Sequence, residues 1–156
     1  MDLTVIGVGS RLRGDDAIGP LVIDALEAQD HQGMELIDAG SDALGILEYL
    51  QGREHVIIID ACQMGQTPGR VKLIDPVQVD MVLKEDPVSL HGLGLAEAIR
   101  MGAALNMLPD HLKIIGIEPE SIQFSGTISA SLQKALKRVT KIVHDELGRL
   151  QQVLEA

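Results

Sequence analysis

Short apolar, β-branched runs alternate along this chain with stretches whose apolar residues recur every three or four positions. Leu3-Thr4-Val5-Ile6-Gly7-Val8 reads as a buried strand, and Ile18, Leu21, Val22, Ala25 and Leu26 then fall at helical spacing. Asp15 and Asp16 stand where an N-terminal cap belongs, and Pro20 is tolerated in a first turn. Met34 to Asp38 predicts a second strand and Ala43 to Leu50 a short helix. His55-Val56-Ile57-Ile58-Ile59-Asp60 is the clearest strand, a continuous apolar run closed by a carboxylate. Gln66-Thr67-Pro68-Gly69 marks a turn, and Arg70 to Ile74 alternates like a strand with one wet face. Pro76 and Pro87 bracket an irregular or weakly helical segment, and Gly92 to Leu105 carries a helical pattern. Leu112 to Ile117 predicts another strand. Ile128 to Leu154 predicts a long amphipathic helix, with Leu132, Leu136, Val139, Val143, Leu147, Leu150 and Leu154 on one stripe.

This alternation predicts an α/β fold with three layers, α/β/α, around a mostly parallel twisted sheet of about five strands. The Arg70–Ile74 strand follows its predecessor too closely for a crossover helix, so it is expected to be antiparallel or at an edge. The length, 156 residues, fits one domain over 1–156 that buries a core of its own. Acidic residues outnumber basic ones, 23 to 13, for a formal net charge of −10. That balance argues against a nucleic-acid backbone or an anionic membrane as partner. Tyr49 and Phe124 are the only aromatics of the Phe, Trp and Tyr class, so a base-stacking platform is not expected. Cys62 is the sole cysteine, which excludes a disulfide framework within the chain. Residues 3–8 are too few to span a bilayer and no basic stretch precedes them, so the expected compartment is the cytoplasm. No apolar stripe is left over, and a monomer is expected.

Open sheets of this kind bind ligands beyond the carboxyl ends of their strands. After the first strand comes Gly7-Val8-Gly9-Ser10-Arg11-Leu12-Arg13-Gly14-Asp15-Asp16. A dinucleotide fingerprint would need glycine where Leu12 stands, and two carboxylates at a helix start would repel a phosphate. Asp38 and Asp60 close the second and third strands. A carboxylate ending a long apolar strand is costly unless it is paired, capping or liganding. Of the histidines, His31, His55, His111 and His144 read most simply as surface residues. His91 precedes a helix-like Gly92-Leu93-Gly94-Leu95, and a helix start favours the neutral ring that a metal ligand requires. Taken singly, Asp16 is explained by capping and His91 by a structural role, whereas Asp60 favours a functional one. Together, two carboxylates and one imidazole suit an open three-ligand site for a borderline divalent metal.

Five blocks in order resemble the maturation endopeptidases of [NiFe] hydrogenases. They are Val5–Gly9 with Gly14–Gly19, Asp38-Ala39-Gly40-Ser41, Ile57–Ala61, Ser89–Leu95, and Ile114–Ser121. The resemblance covers nearly the whole chain. It implies an endopeptidase that removes a C-terminal peptide from the large-subunit precursor of a [NiFe] hydrogenase after nickel insertion. It also implies that Asp16, Asp60 and His91 contact that nickel and serve the cleavage. The nickel would be supplied by the substrate rather than bound permanently. Asp38 is expected to touch the substrate tail. The chain departs from the family pattern at Ser10, where Asn is common, and at Ala39, where Gly is.

No Ser-His-Asp or Cys-His motif is evident. Attack by a water polarised by the metal or by a carboxylate is the expected chemistry, with Cys62 as a nucleophile the less simple option. Two rival readings remain at this stage. One is a non-enzymatic nickel-sensing chaperone for the same client, and the other a small nucleotide-binding α/β protein.

Overall fold

The computed structural model describes residues 3–83 and 94–155. Five strands form one sheet: β1 (Leu3–Val8), β2 (Met34–Gly40), β3 (His55–Ala61), β4 (Val71–Ile74) and β5 (His111–Ile117), in the order β2-β1-β3-β5-β4. β1, β2, β3 and β5 run parallel, and β4 lies antiparallel on the edge beside β5. The expected α/β architecture, including the reversed edge strand, is therefore observed.

The strands alternate side chains between two cores, as the two-residue period demands. Val5, Ile57, Ile59, Ile115 and Ile117 pack under α1 (Ile18–Glu27) and the long α5 (Ala130–Glu155). Ile6, Val8, Val56, Ile58 and Ile114 pack on the other face, under α2 (Ile46–Leu50), α3 (Val79–Val82) and α4 (Leu95–Ala104). The α5 stripe is buried through Leu132, Ala135, Val139, Val143, Leu147 and Leu150. Both sheet faces are covered, which explains why strands β1 and β3 read as continuous apolar runs.

Two local expectations are corrected. The helix expected from Ala43 covers only Ile46–Leu50. Asp42 Oδ1 accepts the Gly45 N–H at 3.0 Å, and this side-chain turn takes the place of the first helical turn. The acidic pair before α1 does not cap it. Residues Gly14–Ala17 form a 3-10 turn that runs into α1, and neither that turn nor α1 has a side-chain cap. The histidine segment, Ser89 to Leu93, lies outside the described residues, and so does the predicted helix start at Gly92.

Candidate active site

The chain leaves β1 through α1 to reach β2 on one side, whereas β3 lies on the other side of β1. The strand order therefore reverses between β1 and β3, and in open α/β sheets ligands bind outside the carboxyl ends at such a reversal. Asp16 follows β1 and Asp60 is the penultimate residue of β3, so both carboxylates flank this reversal.

Close backbone contact holds them there. Gly9 has φ +143°, and a Cβ on it would lie 1.8 Å from the Asp16 carbonyl oxygen. Only glycine tolerates both that dihedral and that approach. At the start of α1, a Cβ on Gly19 would lie 2.3 Å from the Val8 carbonyl oxygen and 2.7 Å from that of Ile59. The helix start thus rests on the backbones of β1 and β3 together, one residue short of Asp60. The turn carrying Asp16 also packs against β3. The Asp16 Oδ2 accepts the Ser10 N–H at 2.8 Å, which orients its carboxylate over the first loop. Asp16 and Asp60 are both half-buried. His91, the third expected ligand, lies outside the described residues.

The neighbouring Asp15 has a different task. It is 1% exposed and accepts four hydrogen bonds, from the N–H groups of Glu120, Ser121 and Ser129 and from the Ser129 hydroxyl, at 2.7–3.2 Å. It staples the loop after β1 to the segment joining β5 and α5. Backbone bonds extend the staple: Gly14 N–H to Ser125 O at 3.0 Å, and Ser125 N–H to Leu12 O at 3.0 Å. Two apolar side chains stand exposed on this double loop, Leu12 at 67% and Phe124 at 79%. The Arg13 guanidinium lies 5.5 Å from the Phe124 ring centre.

Asp38 lies at the exposed end of β2. Its Oδ2 accepts from Arg11 at 2.9 Å, and its Oδ1 accepts the Gly40 N–H at 2.9 Å. Arg11 also grips Asp24 of α1 through two bonds of 2.6 and 2.9 Å. Hydrogen bonding to Asp24, then to Asp38, raises the guanidinium pKa still further, and the Arg11 bond holds the Asp24 carboxyl below its usual range. Arg11 therefore ties the first loop to α1 and to the end of β2.

The loop after β3 and the loop after β5 line an open polar cleft of about 310 Å³, formed by Gln63, Gly65 and Glu118 to Ile122. Glu118 is buried, and its Oε1 accepts the N–H groups of Met64 at 2.9 Å and Gln66 at 2.6 Å. Cys62, 4% exposed, packs against the backbone of Gly116. That burial favours the structural thiol over a nucleophile.

Comparisons with known proteins bear on the family and the fold. The family model described as hydrogenase maturation protease matches residues 20–146. The hydrogenase 2 maturation protease of Escherichia coli (strain K12) is 30% identical over 148 residues, covering 89% of this chain and 88% of that one. The chain belongs to the hydrogenase maturation protease family. The solved structure of the hydrogenase-maturating endopeptidase HybD from E. coli superposes with a TM-score of 0.77 at 26% identity, covering 96% of this chain and 93% of that one. A hydrogenase 2 maturation peptidase from Thaumarchaeota archaeon SCGC_AB-539-E09 gives a TM-score of 0.70 at 29% identity, over 95% and 99% of the two chains.

This protease is thus an enzyme, an endopeptidase, and the non-enzymatic and nucleotide-binding readings fall away. Sequence reasoning missed three of the residues that shape the site. Glu118 carried the same signal as Asp60, a carboxylate directly after an apolar strand. Asp15 was hidden by its neighbour, because nothing local separates a loop staple from a ligand. Arg11 stood in the loop after the first strand, but its two carboxylate partners lie 13 and 27 residues away.

Proposed function

We propose that this protease removes a C-terminal peptide from the large-subunit precursor of a [NiFe] hydrogenase, and that it does so once nickel is in place. Asp16, Asp60 and His91 would contact the nickel that the substrate carries. The observation behind this reading is the delivery of Asp16 and Asp60 to one strand-order reversal by glycine-mediated backbone contact. Two carboxylates with an imidazole suit a borderline divalent ion held partly by substrate thiolates. The scissile bond would then lie along the polar cleft formed by the loops after β3 and β5, with water as the nucleophile. Water adds to the scissile carbonyl carbon, a carboxylate of the pair takes its proton, and the departing amine nitrogen receives a proton as the C–N bond breaks. Requiring nickel for docking makes the cut a checkpoint, because binding energy from the metal positions the peptide. Leu12 and Phe124, exposed beside the site, suit a folded protein client better than a free peptide. Asp38, paired with Arg11, would touch the substrate tail. A cytoplasmic monomer is the form proposed.

The test is the intact mass of a cognate precursor incubated with the protease, with and without nickel. Loss of one defined C-terminal peptide is expected only with nickel. Asp60→Asn and His91→Ala should each slow that cleavage by about 100-fold or more. Equal cleavage of nickel-free precursor would refute the checkpoint.

A further inference from the structure

At the amino ends of the strands, opposite the candidate active site, a second group of metal-ligating side chains assembles. His55 opens β3 and His111 opens β5, and the two are direct partners in the parallel register. Their rings stack with centroids 4.6 Å apart and planes within 8°. Glu54, immediately before β3, joins them, with one ligand atom from each residue lying within 4.8 Å of the others. The backbone closes the group as well, since the His111 N–H donates to the Glu54 carbonyl oxygen at 3.1 Å. We infer that Glu54, His55 and His111 form a second metal site, for a borderline divalent cation of the zinc or nickel class.

The donor set favours that class. Two imidazoles and one carboxylate match the nitrogen- and oxygen-rich ligation such ions prefer, and three protein ligands leave a position for water. The backbone is already arranged, because paired positions on adjacent strands hold the two histidine Cα atoms about 5 Å apart. Tetrahedral binding at 2.0–2.1 Å needs ligand atoms roughly 3.4 Å apart, so the side chains close in by at most about 1.4 Å. Glu54 and His111 are exposed and His55 is half-buried, so rotation about their side-chain bonds supplies this. The surrounding charge is favourable too. The adjoining hollow of about 170 Å³ carries Asp75, Asp110 and Glu146 against Lys113 and Arg149. With Glu54 that makes four carboxylates and two cations, so a divalent ion enters a net negative field. The residues from His55 to Asp60 span roughly 16 Å of strand, which separates this site from the nickel contact proposed above. The inference does not depend on the proposed function.

The experiment is a zinc titration of the full chain by calorimetry in an Asp16→Asn/Asp60→Asn/His91→Ala background, which silences the other site. One zinc per chain is expected to bind. Adding His111→Gln or Glu54→Gln, both at exposed positions where folding is not at stake, should weaken binding at least about tenfold. In parallel, zinc should perturb the imidazole NMR signals of His55 and His111 but not those of His31 and His144. Failure of the triple variant to bind zinc would overturn the site. So would binding that is indifferent to His111→Gln and Glu54→Gln.

Discussion

Removing the Asp15 carboxylate leaves three backbone N–H groups and one hydroxyl without their acceptor, at a part-buried junction. Four donors that together lose one charged acceptor are costly even when part-buried, so Asp15→Ala should destabilise the fold by about 3 kcal/mol, or about 6–12 °C in Tm. Asp16→Asn should behave in the opposite way. Its side chain keeps an oxygen for the Ser10 N–H, so stability should move by less than about 1 kcal/mol, while cleavage falls. Urea midpoints and precursor cleavage, measured on both variants, check this separation. Equal stability losses would mean that Asp16 is as structural as its neighbour. Nothing in the local sequence distinguishes the two aspartates, because the partners of Asp15 lie more than a hundred residues away. Asp60, by contrast, stands out in the sequence for a physical reason: a charge closing an apolar run is costly unless it is paired, capping or liganding.

Elements were more legible than residues, because strand and helix periods are local properties. β1, β3, β5 and α5 follow directly from apolar runs and a heptad-like stripe. The short α2 was overextended, since the Asp42 turn that replaces its first turn is a matter of one hydrogen bond. The seating of α1 was not legible at all. A glycine inside a helix ordinarily weakens it, and replacing it with alanine stabilises by roughly 0.5–1 kcal/mol. Gly148 in α5 has no atom within 4 Å of a would-be Cβ, so Gly148→Ala should show that gain. Gly19→Ala should reverse the sign, because its Cβ would meet the backbones of Val8 and Ile59 at 2.3–2.7 Å. Those atoms cannot rotate away, and the expected cost is more than about 2 kcal/mol. The displaced helix start would also carry the turn of Asp16 off β3, so cleavage should fall with stability. Thermal denaturation of the two alanine variants reads both signs. A stabilised Gly19→Ala would show that α1 does not rest on the two strands as described.

At the scale of the whole molecule, two electrostatic effects oppose each other as pH falls. The formal charge of −10 makes the native state repel itself at neutral pH, and protonation toward the isoelectric point near 4.8 relieves that strain. Against this stand three pairs in which an arginine hydrogen bond holds a carboxyl below its ordinary range: Asp24 with Arg11, Glu35 with Arg53, and Glu146 with Arg149. A carboxyl whose folded pKa is depressed contributes stability above its unfolded pKa and loses it as pH falls through the folded one. All three pairs have at least one partner well exposed to solvent, so screening keeps each contribution small, and none changes between pH 7 and about 5. Relief of repulsion therefore governs the upper range and loss of the pairs governs the lower. Tm at low salt should hold or rise slightly from pH 7 to about 5, then fall below about pH 4. Added salt should raise Tm at pH 7, where net repulsion dominates, and lower it near pH 5, where only the attractive pairs are left to screen. A Tm that drops steadily from pH 7 downward would overturn the dominance of surface repulsion in the upper range.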